Sequence, residues 1–405
     1  MYDYQNDRRF FAQAPGKMEE LCERELIELG AVNTETAYRG VYFEADNAAL
    51  YRINYEARLV SRVLAPLLTF RCREPETLTS TARSVAWEEF FTIDHTFAIT
   101  ASTTKSVFTN SLYAAQCLKD GIADHFRDVA RGQRPSVETV NPDVRLNLHI
   151  DGDLAVVSLD TSGESLHKRG YRLLAGEAPM QETLAAAIIR LTEWDGERPL
   201  WDCMCGSGTL VCEALMHYCR IPAQILRKNF GFTWLPDFNA ALWKRVRAEA
   251  DARMRPLPRG LISGSDISPA AVSVTKENLS RLPFAEHVEL RRQAFQRVKQ
   301  FEDGILVANP PYGIRMGKLD EVRQLYTDMG DFLKQRCKGS SAWIYTGDPE
   351  LRKSIGLKTS RRIPLVNGKL EGVLVRIDLY EGSKKPYYHR LKEEEEKTAK
   401  APKRE

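Results

Sequence analysis

No stretch of this chain approaches the roughly 18 uninterrupted apolar residues that a membrane-spanning helix requires, so a membrane protein is not expected. The first residues, Met1-Tyr-Asp-Tyr-Gln-Asn-Asp-Arg-Arg-Phe10, lack the apolar core of a secretory signal, and a cytoplasmic location follows as the expectation. Paired Cys-x-x-Cys spacing is missing as well. The eight cysteines are scattered, which suits a reducing compartment rather than a disulfide framework. Cys203-x-Cys205, with Cys212 and Cys219 following, has neither the spacing nor the second pair of a metal knuckle, so no metal is expected. Charge of one sign is also lacking: the net charge is only +3, and any affinity for a polyanion must reside in local clusters. Of the seven histidines, His95, His125 and His149 fall on different elements and read as structural or surface residues.

What is present is the composition of a soluble globular protein, with 28% charged and 43% hydrophobic residues in 405, enough for two or three domains. The chain is organised around Leu200-Trp-Asp202-Cys203-Met204-Cys205-Gly206-Ser207-Gly208-Thr209. A short apolar run leads into a small-residue turn, and Thr209 to Tyr218 has the apolar spacing of a helix. Strand, glycine turn and helix together let a ligand lie against bare backbone at a helix N-terminus. Such a glycine pair also closes ordinary loops, so the continuation matters. Gly260 to Asp266 is a second apolar run ending in an acid, and Pro269 to Leu279 is a helix with proline in its first turn. An acid at that strand end is where sheets of this kind grip a ribose.

Gly304 to Ala308 supplies a third buried strand, running into Asn309-Pro310-Pro311-Tyr312-Gly313. The two prolines fix an extended turn. An amide, a main-chain carbonyl and an aromatic face are held there, which suits a flat ring bearing an amino group.

These three motifs in this order resemble the class I S-adenosylmethionine-dependent methyltransferases that act on exocyclic amines. Within them the chain is similar to the bacterial THUMP-domain RNA methyltransferases, close to the N-terminal guanine-N2 methyltransferase half of the RlmL-type enzymes of 23S rRNA. The resemblance covers nearly the whole chain, the Gly356-Leu-Lys and Asn367-Gly segments included. It implies an α/β fold: a Rossmann-like sheet with a reversed last strand, preceded by α+β ferredoxin-like and THUMP domains. The implied boundaries are 1–55 for the ferredoxin-like unit and 56–165 for the THUMP domain. The methyltransferase domain would run over 166–383 with a helical insertion at 219–259, and a charged, disordered tail would occupy 384–405.

The resemblance also implies roles. Asn309, Pro310, Pro311 and Tyr312 would hold the reacting base. S-adenosylmethionine would be bound by Gln181, Asp202, Met204, Cys205, Gly206, Ser207, Gly208, Thr209, Asp266, Ile267, Gln293 and Asn309. The basic run Lys168-Arg169-Gly-Tyr171-Arg172, a local cluster of charge, and Arg315 would face RNA, which the resemblance makes either 23S rRNA or a ribosomal assembly intermediate. The family commonly has proline where Cys203 stands, which bears on the rigidity of the turn. It commonly has an acid where Gln293 stands, whose amide oxygen still accepts a hydrogen bond. Adenine-N6 methylation, guanine-N2 methylation of tRNA, and a non-catalytic RNA-binding assembly role are the alternatives.

Along the rest of the chain, strands are expected at Phe10–Ala14 and Tyr38–Phe43, and helices at Gly16–Leu29, closed by Gly30, and from Asp46 through Leu59. A helix over Thr79–Phe91, a strand over Thr96–Ser102, a helix over Ser111–Val129 and a hairpin turning at Asp151-Gly152 follow. The Ala178–Leu191 segment reads as a helix. Phe230, Phe232, Trp234 and Trp243 of the insertion read as packing residues or as base-stacking groups. Beyond Asn309, a helix over Leu325–Lys334, a strand over Ser341–Thr346, a helix near Pro349–Ile355 and a closing hairpin across Asn367-Gly368 complete the expectations.

Overall fold

A computed structural model describes residues 1–173, 180–311, 319–368 and 370–380 of the protein. They divide into two compact units. The first gathers Met1–Leu173 with Met180–Ala187 and Met216–Pro256, and the second gathers Ile188–Leu215 with the described residues from Leu257 onward.

The first unit begins with α1 (Asp3–Asp7), β1 (Arg9–Gln13) and α2 (Glu19–Glu28). Gly30 ends that helix at a φ of 104°, the left-handed conformation that glycine adopts without strain. β2 (Val32–Ala37) and β3 (Gly40–Glu44) lead to α3 (Asn47–Glu56), where the Ala49 N–H donates to the cap residue Asp46 at 2.7 Å. β4 (Arg62–Arg71), α4 (Pro75–Arg83), β5 (Thr96–Thr104), α5 (Ser111–Val129) and a short β6 (Ser136–Val137) follow. The expected hairpin is β7 (Val144–Asp151) with β8 (Leu154–Asp160), and all these strands form one eight-stranded sheet in the order β2-β3-β1-β4-β8-β7-β5-β6.

Several elements depart from expectation for identifiable reasons. β2 is a polar edge strand with no buried position, so no alternation announces it. β4 is interior to the sheet although Pro66 argues against a central strand; a register shift between Pro66 and Leu68 where β4 meets β8 accommodates the ring. The α3 helix stops at Glu56, short of Leu59. The helix expected through Phe91 stops at Arg83, because Trp87 folds back and its indole N–H donates to the Ala82 carbonyl at 2.7 Å. Val85, Trp87, Phe90 and Phe91 still enter the core, but from a single 3-10 turn at Trp87–Glu89 and the residues flanking it.

After α6 (Glu182–Leu191), β9 (Leu200–Asp202) and α7 (Thr209–Tyr218) comes the insertion with α8 (Ala240–Ala252). Residues 178 and 179, where the first of these helices was expected to start, lie outside the described residues. The insertion packs on α3. Tyr51 and Tyr55 meet Phe230, Phe232, Phe238 and Trp243 at ring-centroid distances of 4.6 to 6.3 Å. The Tyr55 hydroxyl donates to Asp251 at 2.7 Å, and the Asn239 N–H donates to the Tyr51 hydroxyl at 2.9 Å. Of the two readings of these aromatics, packing holds for Phe230 and Phe232, which are fully buried.

The second unit adds β10 (Ile262–Asp266), α9 (Pro269–Leu279), β11 (Glu289–Arg292), β12 (Ile305–Ala308) and α10 (Leu319–Arg336). β13 (Ser341–Thr346), α11 (Pro349–Ser354), β14 (Arg361–Asn367) and β15 (Leu370–Asp378) complete it. Its sheet order is β11-β10-β9-β12-β13-β15-β14. The pairs from β11 to β13 are parallel, while β15 runs antiparallel to both of its neighbours; this is the expected reversed strand. Trp201, Leu306, Ala308, Tyr326, Phe332, Ile344 and Val375 form a core between the sheet and α10, each large side chain contributing about 1.5–3 kcal/mol by its burial.

The strand order makes the site. The chain steps outward from β9 to β10 to β11 and then returns to pair β12 on the other side of β9. Ligands of open α/β sheets bind outside the carboxyl ends of the strands at such a reversal.

Candidate active site at the carboxyl ends of the parallel strands

The loop after β9 is held by its own main chain and by the neighbouring strand. The Cys205 N–H donates to the Ser265 carbonyl at 2.9 Å, and the Gly208 N–H donates to the Cys205 carbonyl at 2.7 Å. Gly206 and Gly208 have φ values of 55° and 81°, a region that costs other residues roughly 1–2 kcal/mol. The two glycines serve different ends. A Cβ on Gly208 would lie 2.6 Å from the Thr275 methyl, whereas one on Gly206 would meet no protein atom within 4 Å. Cys203 and Cys205 are buried and their thiols are pushed up by that burial; Cys203 packs in the core and the Cys205 sulfur lies 3.7 Å from the Thr275 hydroxyl oxygen. The turn thus has internal support with cysteine where the family commonly has proline.

Two acids stand behind this loop. Asp202 is fully buried and accepts the Met204 N–H at 3.2 Å. Burial chiefly, with the Asp266 charge adding to it, pushes its carboxyl up to about 7. Asp266 takes one donor on each oxygen: the Gly206 N–H at 3.0 Å and the Ser268 N–H at 2.9 Å. Its own carbonyl accepts the Gln293 N–H at 3.0 Å, which brings the expected third contact beside it. Ile267, next along, is 73% exposed, an unusual state for isoleucine and a ready apolar wall for a ring.

Two residues of the site carried no motif. From α9, the Thr275 hydroxyl donates to the Gly206 carbonyl and the Asn278 amide to the Ser207 carbonyl, both at 2.9 Å. Their only signal is chemical: polar side chains on the buried face of a helix need partners.

At the end of β12 the situation is reversed. The Asn309 side-chain oxygen is buried and has no hydrogen-bond partner among the described residues. Pro310 is buried and Pro311 exposed. Tyr312 and Arg315 lie outside the described residues. A glycine loop with open space beside Gly206, an acid at the next strand end and an orphaned amide at the switch point fit a nucleoside-bearing methyl donor and an amine acceptor.

The family described as the RMKL-like methyltransferase domain matches residues 169–376, the THUMP domain matches 72–160 and the RlmL ferredoxin-like domain matches 9–64. The chain belongs to the RMKL-like methyltransferase family. A ribosomal RNA large subunit methyltransferase K/L of Syntrophotalea carbinolica is 38% identical over 92% of this chain and 54% of its own length, so the chain spans about half of that relative. A Synechocystis protein, slr0064, assigned as an RNA methyltransferase, is 35% identical over 92% of this chain and 97% of its own. The crystal structure of SMU.472, assigned as a methyltransferase and solved with SAH, superposes with a TM-score of 0.81 at 28% identity, covering 93% of this chain and 99% of that one.

Within this RMKL-like methyltransferase, the basic run expected to face RNA is largely spent inside the first unit. Arg169 is buried, and its guanidinium donates to the carbonyls of Leu166 and Arg58. Arg172 donates to Glu182 at 2.9 Å and to the Met180 carbonyl at 3.0 Å. Arg169 is a correction, its guanidinium being buried on carbonyls rather than presented to a phosphate, while Arg172 is partly buried and committed to Glu182 and the Met180 carbonyl. Lys168 is exposed and paired with Glu164. Gln181 stands half-buried immediately before α6.

Proposed function

We propose that this chain methylates the exocyclic N2 of a guanine in RNA, most simply 23S rRNA or its assembly intermediate, with S-adenosylmethionine as the methyl donor. The single observation that carries the acceptor half of this reading is the buried Asn309 oxygen, which has no partner among the described residues, at the strand end where an amine would be received. The THUMP match, the K/L relatives and the SAH-bound neighbour support RNA and the donor. Action on ribosomal RNA implies a cytoplasmic protein.

When bound, the donor supplies an electrophilic methyl carbon on a sulfonium. The chain's part is alignment and exclusion of water. Asp202, the 204–209 loop, Asp266, Ile267 and Gln293 would hold the donor. The Asn309 oxygen and the Pro310 carbonyl would accept the two amine hydrogens, drawing the nitrogen lone pair out of the ring and stabilising positive charge as it develops. Tyr312 would stack on a base turned out of its helix. No general base is assigned, because the methylated, cationic nitrogen loses its proton readily to water.

The test is tritiated methyl transfer to total RNA from a strain lacking the gene, followed by nucleoside analysis. Label in N2-methylguanosine of large-subunit RNA is the expected result. Label confined to adenine, to tRNA or to protein would overturn the assignment of the acceptor.

A further inference from the structure

We infer that Thr275 and Asn278 are positioning residues for the methyl donor: they set the main-chain shape of the glycine loop by holding its carbonyls. The inference rests on the donor-binding reading of that loop.

Three main-chain groups of two adjacent loop residues are answered from the β10–α9 segment. The Gly206 N–H goes to Asp266, the Gly206 carbonyl to Thr275 and the Ser207 carbonyl to Asn278, at 3.0, 2.9 and 2.9 Å. Thr275 and Asn278 are three residues apart, hence on one face of α9, and neither has any exposed surface. The Thr275 methyl also lies only 2.6 Å from where a Cβ on Gly208 would be, so helix and loop are in direct contact. A trans peptide is planar, with its C=O and N–H on opposite sides. Pulling the Gly206 carbonyl onto α9 therefore turns the Ser207 N–H to the side away from α9. The same helix begins just after Asp266 and Ile267, which would meet the adenosine. One rigid helix thus fixes both ends of the donor cradle.

The full chain with Thr275→Val loses the hydroxyl at nearly constant shape, Thr275→Ser restores it, and Asn278→Ala removes the second donor. S-adenosylhomocysteine binding by calorimetry and apo-state amide exchange at Gly206 and Ser207 are the readouts. Thr275→Val and Asn278→Ala are each expected to weaken binding by about five- to tenfold and to speed loop exchange, the loss of one net hydrogen bond. Thr275→Ser is expected to return both to near wild type. Wild-type binding with unchanged affinity in Thr275→Val and Asn278→Ala overturns this inference alone, as does a loss that Thr275→Ser fails to rescue. Failure of the wild-type chain to bind would overturn the donor reading, and this inference with it.

Discussion

The loop after β9 and the turn after β12 sit at neighbouring strand ends, and the protein finishes them in opposite ways. In the loop, Gly206, Ser207 and Gly208 each have a main-chain group taken by a partner within the fold. In the turn, a buried amide oxygen is left with none among the described residues. An unanswered buried acceptor costs about 1–3 kcal/mol, a cost that a donor group on a ligand would recover. The contrast separates a cradle built before anything arrives from a contact completed by the acceptor itself. Asn309→Ala breaks it most sharply. Turnover is expected to fall about 10²–10³-fold, the usual consequence of losing one positioned hydrogen-bonding group in the transition state, with little change in S-adenosylhomocysteine affinity. Equal losses in turnover and affinity would show that Asn309 belongs to the cradle instead.

The prebuilt side should fail differently, by losing stability. Gly208→Ala places a methyl against Thr275 at a φ of 81°, and the combined overlap and backbone strain are expected to cost about 2–4 kcal/mol in urea unfolding. Gly206→Ala serves as the control, since its methyl meets no protein atom within 4 Å and only the strain of roughly 1–2 kcal/mol applies. Equal destabilisation by the two would mean that Thr275 does not brace the loop.

The same contrast governs what could be read from residues alone. The glycine pair, Asp266 and Asn309-Pro310-Pro311 announce themselves because each is a local device with its chemistry in a few adjacent positions. Thr275 and Asn278 do not, because their partners lie 69 and 71 positions away, and a helix pattern does not say what its buried polar face will meet. The run Lys168-Arg169-Gly-Tyr-Arg172 misleads for a related reason: composition counts guanidinium groups but not which of them turn inward to carbonyls and Glu182. β4 was hidden by Pro66, whose place in an interior strand depends on a register shift with β8. The reversed last strand of the second sheet was legible only through the family resemblance, and the order of its strands came from the structure.

The last prediction concerns the group that does not fit the prebuilt side comfortably, and its effect is spread over several pH units. Asp202 braces the loop through the Met204 N–H, yet it is fully buried with no cationic side chain among the causes of its shift, and its carboxyl is pushed up to about 7. An unfolded aspartate titrates near 3.9. Between roughly pH 4 and pH 7 the folded chain therefore keeps a proton that the unfolded chain has lost, so stability falls as pH rises, by about 1.4 kcal/mol per pH unit. Above pH 7 both states are ionised and the slope vanishes. Asp202→Asn is expected to flatten this part of the pH–stability curve and to raise apo stability at pH 7. It should also abolish the strengthening of S-adenosylmethionine binding through pH 7 expected of the wild type, because only the ionised carboxylate favours a cationic donor. Parallel pH–stability curves for the two proteins would show that burial does not raise the Asp202 carboxyl.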